Sequence, residues 1–161
     1  MIIKLYHGSN VGIDVPDLIH SKPFKDFGSG FYLSADEQQA WDMAYQKVNQ
    51  TLMGKATVSK FLFDEAVLSS DELKVLIFED YTEEWAKFVL ANRSRNVKQP
   101  VHDYDIVYGP IADDGVTYQL RRYEGGVISL SRLVEELKYA RGVTFQYFFG
   151  SDRALKHLRK L

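Results

Sequence analysis

The sequence contains no cysteine. That excludes a disulfide framework, a thiolate metal site and a cysteine nucleophile, and it fits a cytoplasmic chain. No low-complexity segment or internal repeat interrupts it, and there are only four prolines. No stretch approaches the ~18 consecutive apolar residues of a membrane span, so no membrane partner is expected. The run from Met1 to His7 is too short for a secretory signal and has no cleavage site. An excess of one charge is missing too: 20 Lys and Arg face 22 Asp and Glu. A global electrostatic grip on nucleic acid is therefore not expected. His7, His20, His102 and His157 have no metal-ligand spacing, and no metal is expected.

What the chain does have is apolar and aromatic. Hydrophobic residues make up 45% and aromatics 14% of its 161 residues, which argues for a folded protein. That length fits one domain over 1–161, able to bury roughly two-thirds of its unfolded surface.

The pattern along the chain predicts an α+β mixture without a regular βαβ cadence. Ile2 to Tyr6 reads as a strand, Gly8 to Ser29 as a long loop, and Gly30 to Leu33 as a second strand. Ser34 to Glu37 reads as a capping box that opens a helix to about Met53, stopped at Gly54. Ala56 to Phe63 and Leu73 to Phe78 follow as strands. Tyr81 to Arg93 is helical, with Trp85, Phe88 and Val89 at helix spacing. A polar loop covers 95–102, and a strand from Tyr104 to Tyr108 stops at Gly109-Pro110. Asp113-Asp114-Gly115 reads as a turn. Ser129 caps a helix through Leu137 that Gly142 ends, Val143 to Phe149 is a strand, and Ser151 caps a last short helix.

Three segments carry residues suited to a ligand site. In Tyr6-His7-Gly8-Ser9, glycine beside an imidazole lets a ligand approach the backbone closely. The alternative is a strand-end histidine capping a turn. In the segment Asp26-Phe27-Gly28-Ser29-Gly30-Phe31-Tyr32-Leu33, two glycines bend the chain and expose amides. It is not a P-loop, because the Lys-Ser/Thr end is absent, and it is not a dinucleotide fingerprint, because no βαβ unit surrounds it. In Phe145-Gln146-Tyr147, Gln146 interrupts an apolar run and must find partners if buried. The basic tail with Arg153, Lys156, Arg159 and Lys160 is either a solvated face or a phosphate patch.

These segments, in this order, resemble the ADP-ribosyltransferase superfamily, in the branch of the poly-ADP-ribose polymerases and diphtheria toxin. The chain is more narrowly similar to an uncharacterised bacterial family with that fold. Trp85, Phe88, Val89, Asn92 and Arg93 on one helix, and Tyr104 to Asp114, match its further motifs. The resemblance implies a split β-sandwich with flanking helices and NAD as substrate. His7 would hold the ribose hydroxyls, the Gly8 backbone the nicotinamide carboxamide, and Tyr32 would stack on the nicotinamide ring. Gln146 stands where the polymerases carry Glu. Ser9, Phe27, Gly28, Gly30 and Phe31 would complete the NAD contacts. Trp41, Met43 and Tyr45 are candidates for a second stacking side chain. The implied activity is mono-ADP-ribosyl transfer to an unknown protein, nucleic acid or small molecule, or NAD hydrolysis. The alternatives are an NAD-binding module without turnover and a toxin-like protein held by a companion or antitoxin chain.

Overall fold

The computed structural model describes residues 1–96, 98–140 and 142–161. Position 97, inside the polar loop expected at 95–102, and position 141, before Gly142, lie outside the described residues. Two β-sheets and, among the described residues, five α-helices make an α+β chain. The first sheet has the order β1-β3-β7, from Ile2–Ser9, Thr57–Asp64 and Arg159–Lys160. The second has the order β2-β6-β5-β4, from Phe31–Leu33, Phe145–Phe149, Ile106–Pro110 and Val75–Ile77. All pairings are antiparallel except β4 with β5.

Period-2 alternation sets the faces. On β3, Ser59, Phe61 and Phe63 are buried, while Lys60 and Asp64 are exposed. Phe61 and Phe63 meet Phe31, Tyr147 and Phe149 of the second sheet, with Phe63 and Phe149 ring centres 5.3 Å apart. One apolar core thus lies between the sheets. The other face of the second sheet, with Tyr32, Val107 and Phe148, packs against α2 (Glu83–Arg93), α3 (Asp114–Glu124) and α4 (Leu130–Leu137). Trp85 anchors this layer: it is fully buried, and its indole N–H donates to the Pro110 carbonyl at 2.7 Å. The short α5 (Asp152–Leu155) adds Ala154 and Leu155 to the core between the sheets. Asp105, beneath it, accepts from Ser151 and Arg153, so Arg153 of the basic tail has a structural partner.

Several local expectations shift, each for a physical reason. Strand β1 runs on to Ser9, because β3 pairs with it along its whole length. Helix α1 (Glu37–Thr51) is capped by Asp36, which accepts from the Gln38 and Gln39 amides. Ser34 cannot cap it, because its backbone is held in a two-way bridge with Tyr6 at 2.8 Å. Asp113 is the N-cap of α3, accepting from Val116, so the expected turn opens a helix. Pro110 stays within β5. Its missing N–H faces the side where β4 has already ended, and the next residue, Ile111, donates to Thr144. No helix is long and apolar enough to cross a membrane among the described residues.

Candidate functional site

The Tyr6–Ser34 bridge is where β1 and β2 touch before they part into different sheets. Beyond that point the strands diverge and open a cavity of about 700 Å³. Its walls come from β1, β2, α1, β6 and the loop after β1. That volume is within the ~300–1,000 Å³ of small-molecule sites. His7, Tyr32 and Gln146, taken from three strands, all line it, as do Gly8, Ser9, Gly30 and Phe31.

His7 stands across the split. Its Nδ1 lies 2.7 Å from the Tyr32 carbonyl, an acceptor only, so Nδ1 carries the proton and Nε2 keeps a lone pair. The ring stacks on Phe31 at 4.1 Å. Burial pushes its pKa down to about 4. The bond to Tyr32 opposes that shift, and Lys47 and Lys25 add to it. His7 is therefore a neutral, oriented acceptor at pH 7.

Gly8 offers backbone. Tyr6 turns its N–H and C=O toward Ser34, away from β3. Peptide groups alternate along an antiparallel ladder, so those of Gly8 point the same way, off the β3 edge. A side chain could not be carried there: an added Cβ would lie 1.8 Å from the Ala40 carbonyl oxygen of α1. The glycine thus lets α1 close on the strand while its peptide edge stays free of β3.

Tyr32 presents a ring but not a hydroxyl. Its Oη donates to the Gly28 carbonyl at 2.6 Å and accepts from the Phe27 amide at 3.0 Å. Burial raises its pKa well above the usual value, so the phenol stays protonated. The Lys25 ammonium lies 5.0 Å from the ring centre.

Gln146 is 2% exposed, and its Nε2 donates to the Met43 sulfur. A thioether is a weak acceptor, so the carboxamide is poorly partnered within the protein. Met43 is the member of the Trp41, Met43, Tyr45 trio that reaches the cavity; Trp41 and Tyr45 pair with each other at 6.1 Å. A second compartment of about 390 Å³ shares the wall made by Lys25, Tyr32, Met43 and Gln146. Phe24, Arg93 and Arg95 line its other side.

Phe27 and Gly28 stand apart from the expected set. Phe27 is fully buried in the helix-side core, and neither lines the cavity. Gly28, at φ +101°, makes the turn that receives the Tyr32 hydroxyl. His102 Nε2 bonds the Phe27 carbonyl at 2.7 Å, which pins the turn from the other side. Asp26 next to it is held by Arg93 at 2.6 Å and by the Ala112 amide at 2.7 Å. Asp26, Phe27 and Gly28 thus brace the Tyr32 ring, while Gly30 and Phe31 stay on the cavity wall.

Sequence reasoning did not select Lys22, Lys25 or Lys47, which also line the cavity. Lys22 and Lys25 lie close together in a loop, Lys47 lies on a helix, and the three share no motif. Among the described residues, no cluster of three or more His, Asp or Glu could hold a metal ion.

A family model described as a protein of unknown function, DUF3990, matches residues 3–160. No curated protein and no solved structure matches the chain.

Proposed function

The chain belongs to the DUF3990 family of proteins of unknown function, and from the make-up of its cleft we propose that it uses NAD as a mono-ADP-ribosyltransferase or NAD glycohydrolase. The fold reading that goes with this is a split β-sandwich of the ADP-ribosyltransferase kind. The observation that carries the proposal is the convergence of His7, the peptide edge of Gly8, Tyr32 and Gln146 on one cavity.

Each group has a task that its geometry suits. The Gly8 N–H and C=O match the donor and acceptor of a carboxamide, which holds the nicotinamide. The Tyr32 ring supplies a flat face for stacking, with Met43 opposite Gln146 as the adaptable neighbour. His7 Nε2 accepts from a ribose hydroxyl without bringing a charge. The Gln146 carboxamide, released from Met43, bonds a second ribose hydroxyl. The reaction breaks the bond between the ribose C1′ and the nicotinamide nitrogen. The bonding pair leaves with nicotinamide, which departs neutral, and C1′ becomes an oxocarbenium carbon. An acceptor oxygen or water then bonds to C1′ and gives up its proton.

Charge separates this reading from a second one. Gln146 is neutral, and Asp26, which lines the neighbouring compartment, is already paired with Arg93. Gln146 therefore brings no carboxylate to stabilise the oxocarbenium ion, and the carboxylates that do line the cavity, Asp14 and Asp17, are exposed on the loop after β1. Removing one such preorganised group costs typically ~10²–10³ in rate. Slow turnover follows, and binding without turnover is the second reading that the same observation favours. Gln146→Glu separates the two. If the site is catalytic, this variant releases nicotinamide roughly 10²-fold faster than the wild type. If it binds NAD as well as the wild type and releases no nicotinamide, the cleft binds without catalysing.

A further inference from the structure

Three lysines at the cavity have no counter-charge. Lys22 and Lys25 lie on the loop between β1 and β2, Lys47 lies on α1, and all three line the same space. None forms an ion pair among the described residues. Lys25 and Lys47 are half-buried. Burial, and after it the charges of Lys47 and Lys22, lower the Lys25 pKa, and burial and Lys22 lower that of Lys47. A lysine held out of water normally has a partner.

The carboxylates nearby do not fill that place. Asp26 raises the Lys25 pKa slightly, but its oxygens are taken by Arg93 and the Ala112 amide. Asp17 at the cavity mouth bonds His20 at 3.2 Å, and Asp14 is exposed at the rim. The other polar side chains that α1 turns to the cavity, Gln46 and Gln50, are neutral donors. The lysines therefore face an opening in which no carboxylate is paired with them among the described residues.

We propose that Lys22, Lys25 and Lys47 form a binding site for the diphosphate of a nucleotide, and that the bound anion ties the β1–β2 loop to α1. Ammonium groups bind phosphate as point charges. Three of them, from two elements, suit an anion whose charge is spread over two phosphorus centres. With the anion in place their repulsion is cancelled, and the loop gains a charged link to the helix in addition to the Asn10–Thr51 hydrogen bond at its start. The choice of NAD as the nucleotide rests on the proposed function; the anion chemistry does not.

The test is calorimetric titration of the full chain with sodium pyrophosphate, ADP-ribose, NAD and nicotinamide riboside, which has no diphosphate. Wild type, Lys25→Gln, Lys47→Gln and the exposed control Lys138→Gln are compared, each checked for folding by thermal melting. Pyrophosphate and ADP-ribose should bind, and Lys25→Gln and Lys47→Gln should each weaken them by at least ~10-fold. Lys138→Gln should leave them unchanged, and hydrogen exchange of the loop amides should slow when ADP-ribose is added. Affinity unchanged in Lys25→Gln and Lys47→Gln, no binding of either phosphate probe, or loop exchange indifferent to ADP-ribose would each overturn the proposal. If the phosphate probes bind through the lysines but nicotinamide riboside does not bind and NAD binds no better than ADP-ribose, the anion site stands and the NAD reading falls. If NAD binds with an affinity indifferent to both lysine substitutions, the anion site falls and the NAD reading stands.

Discussion

Replacing Tyr32 by Phe removes one oxygen atom and keeps the ring. That oxygen donates to the Gly28 carbonyl at 2.6 Å and accepts from the Phe27 amide at 3.0 Å. Phe27 is fully buried, and Tyr32 is 8% exposed, so water does not replace the lost partner easily. Each buried backbone group left unpaired costs about 1–3 kcal/mol. Two such groups, one of them in a turn that can relax, give an expected loss of about 2–4 kcal/mol. At about 2–4 °C per kcal/mol for a chain of this size, the melting temperature should fall by roughly 5–15 °C. The ring remains, so NAD affinity measured below the melting range should change less than about threefold. Urea unfolding and NAD titration of the same preparation give both numbers. A Tyr32→Phe protein as stable as the wild type but unable to bind or cleave NAD would refute the reasoning, because the hydroxyl would then act on the ligand and not on the turn.

Other outcomes follow from the same geometry. Gly8→Ala should destabilise by at least ~1–3 kcal/mol in urea unfolding, because its Cβ would meet the Ala40 oxygen at 1.8 Å. Gly12→Ala, with its nearest atom at 3.8 Å, should stay within ~0.5 kcal/mol; equal effects at the two positions would contradict the packing account. The folded pKa of His7 lies below the ordinary 6.5, at about 4. Its neutral form therefore contributes stability that is full above pH 6.5 and is lost as pH falls toward about 4. His7→Gln should remove that part of the pH dependence between pH 6.5 and 4, and identical stability profiles for the two proteins would count against a buried neutral His7.

Local signals made much of the framework legible. The alternation of β3, the spacing of Trp85, Phe88 and Val89, and the cap at Ser151 all point to the elements that form. Errors arose where tertiary pairing competes with local preference. Ser34 has the composition of a helix cap, but Tyr6 claims its backbone, and Asp36 takes over the capping. Asp113-Asp114-Gly115 has turn composition, yet Val116 and Leu120 bury against the core and turn the same residues into a helix start.

The candidate site was legible where a motif is continuous. Tyr32 sits on a strand whose position the sequence suggests, His7 and Gly8 lie just past the expected end of the first strand, and Gln146 is conspicuous as one polar residue in an apolar run. Phe27 and Gly28 belong to the same motif but serve the turn, because periodicity in a loop does not tell inward from outward. The lysines were invisible for the opposite reason. Position 47 joins positions 22 and 25 only when the β1–β2 loop and α1 line one cavity.

The most direct test of the central claim is a proton NMR time course of NAD mixed with the wild-type chain and, separately, with His7→Ala. The account predicts that the nicotinamide resonances broaden with the wild type and that free nicotinamide accumulates slowly, while His7→Ala abolishes both effects. NAD that stays sharp and intact beside the folded wild-type protein, or a His7→Ala variant that binds and cleaves NAD as the wild type does, would contradict it.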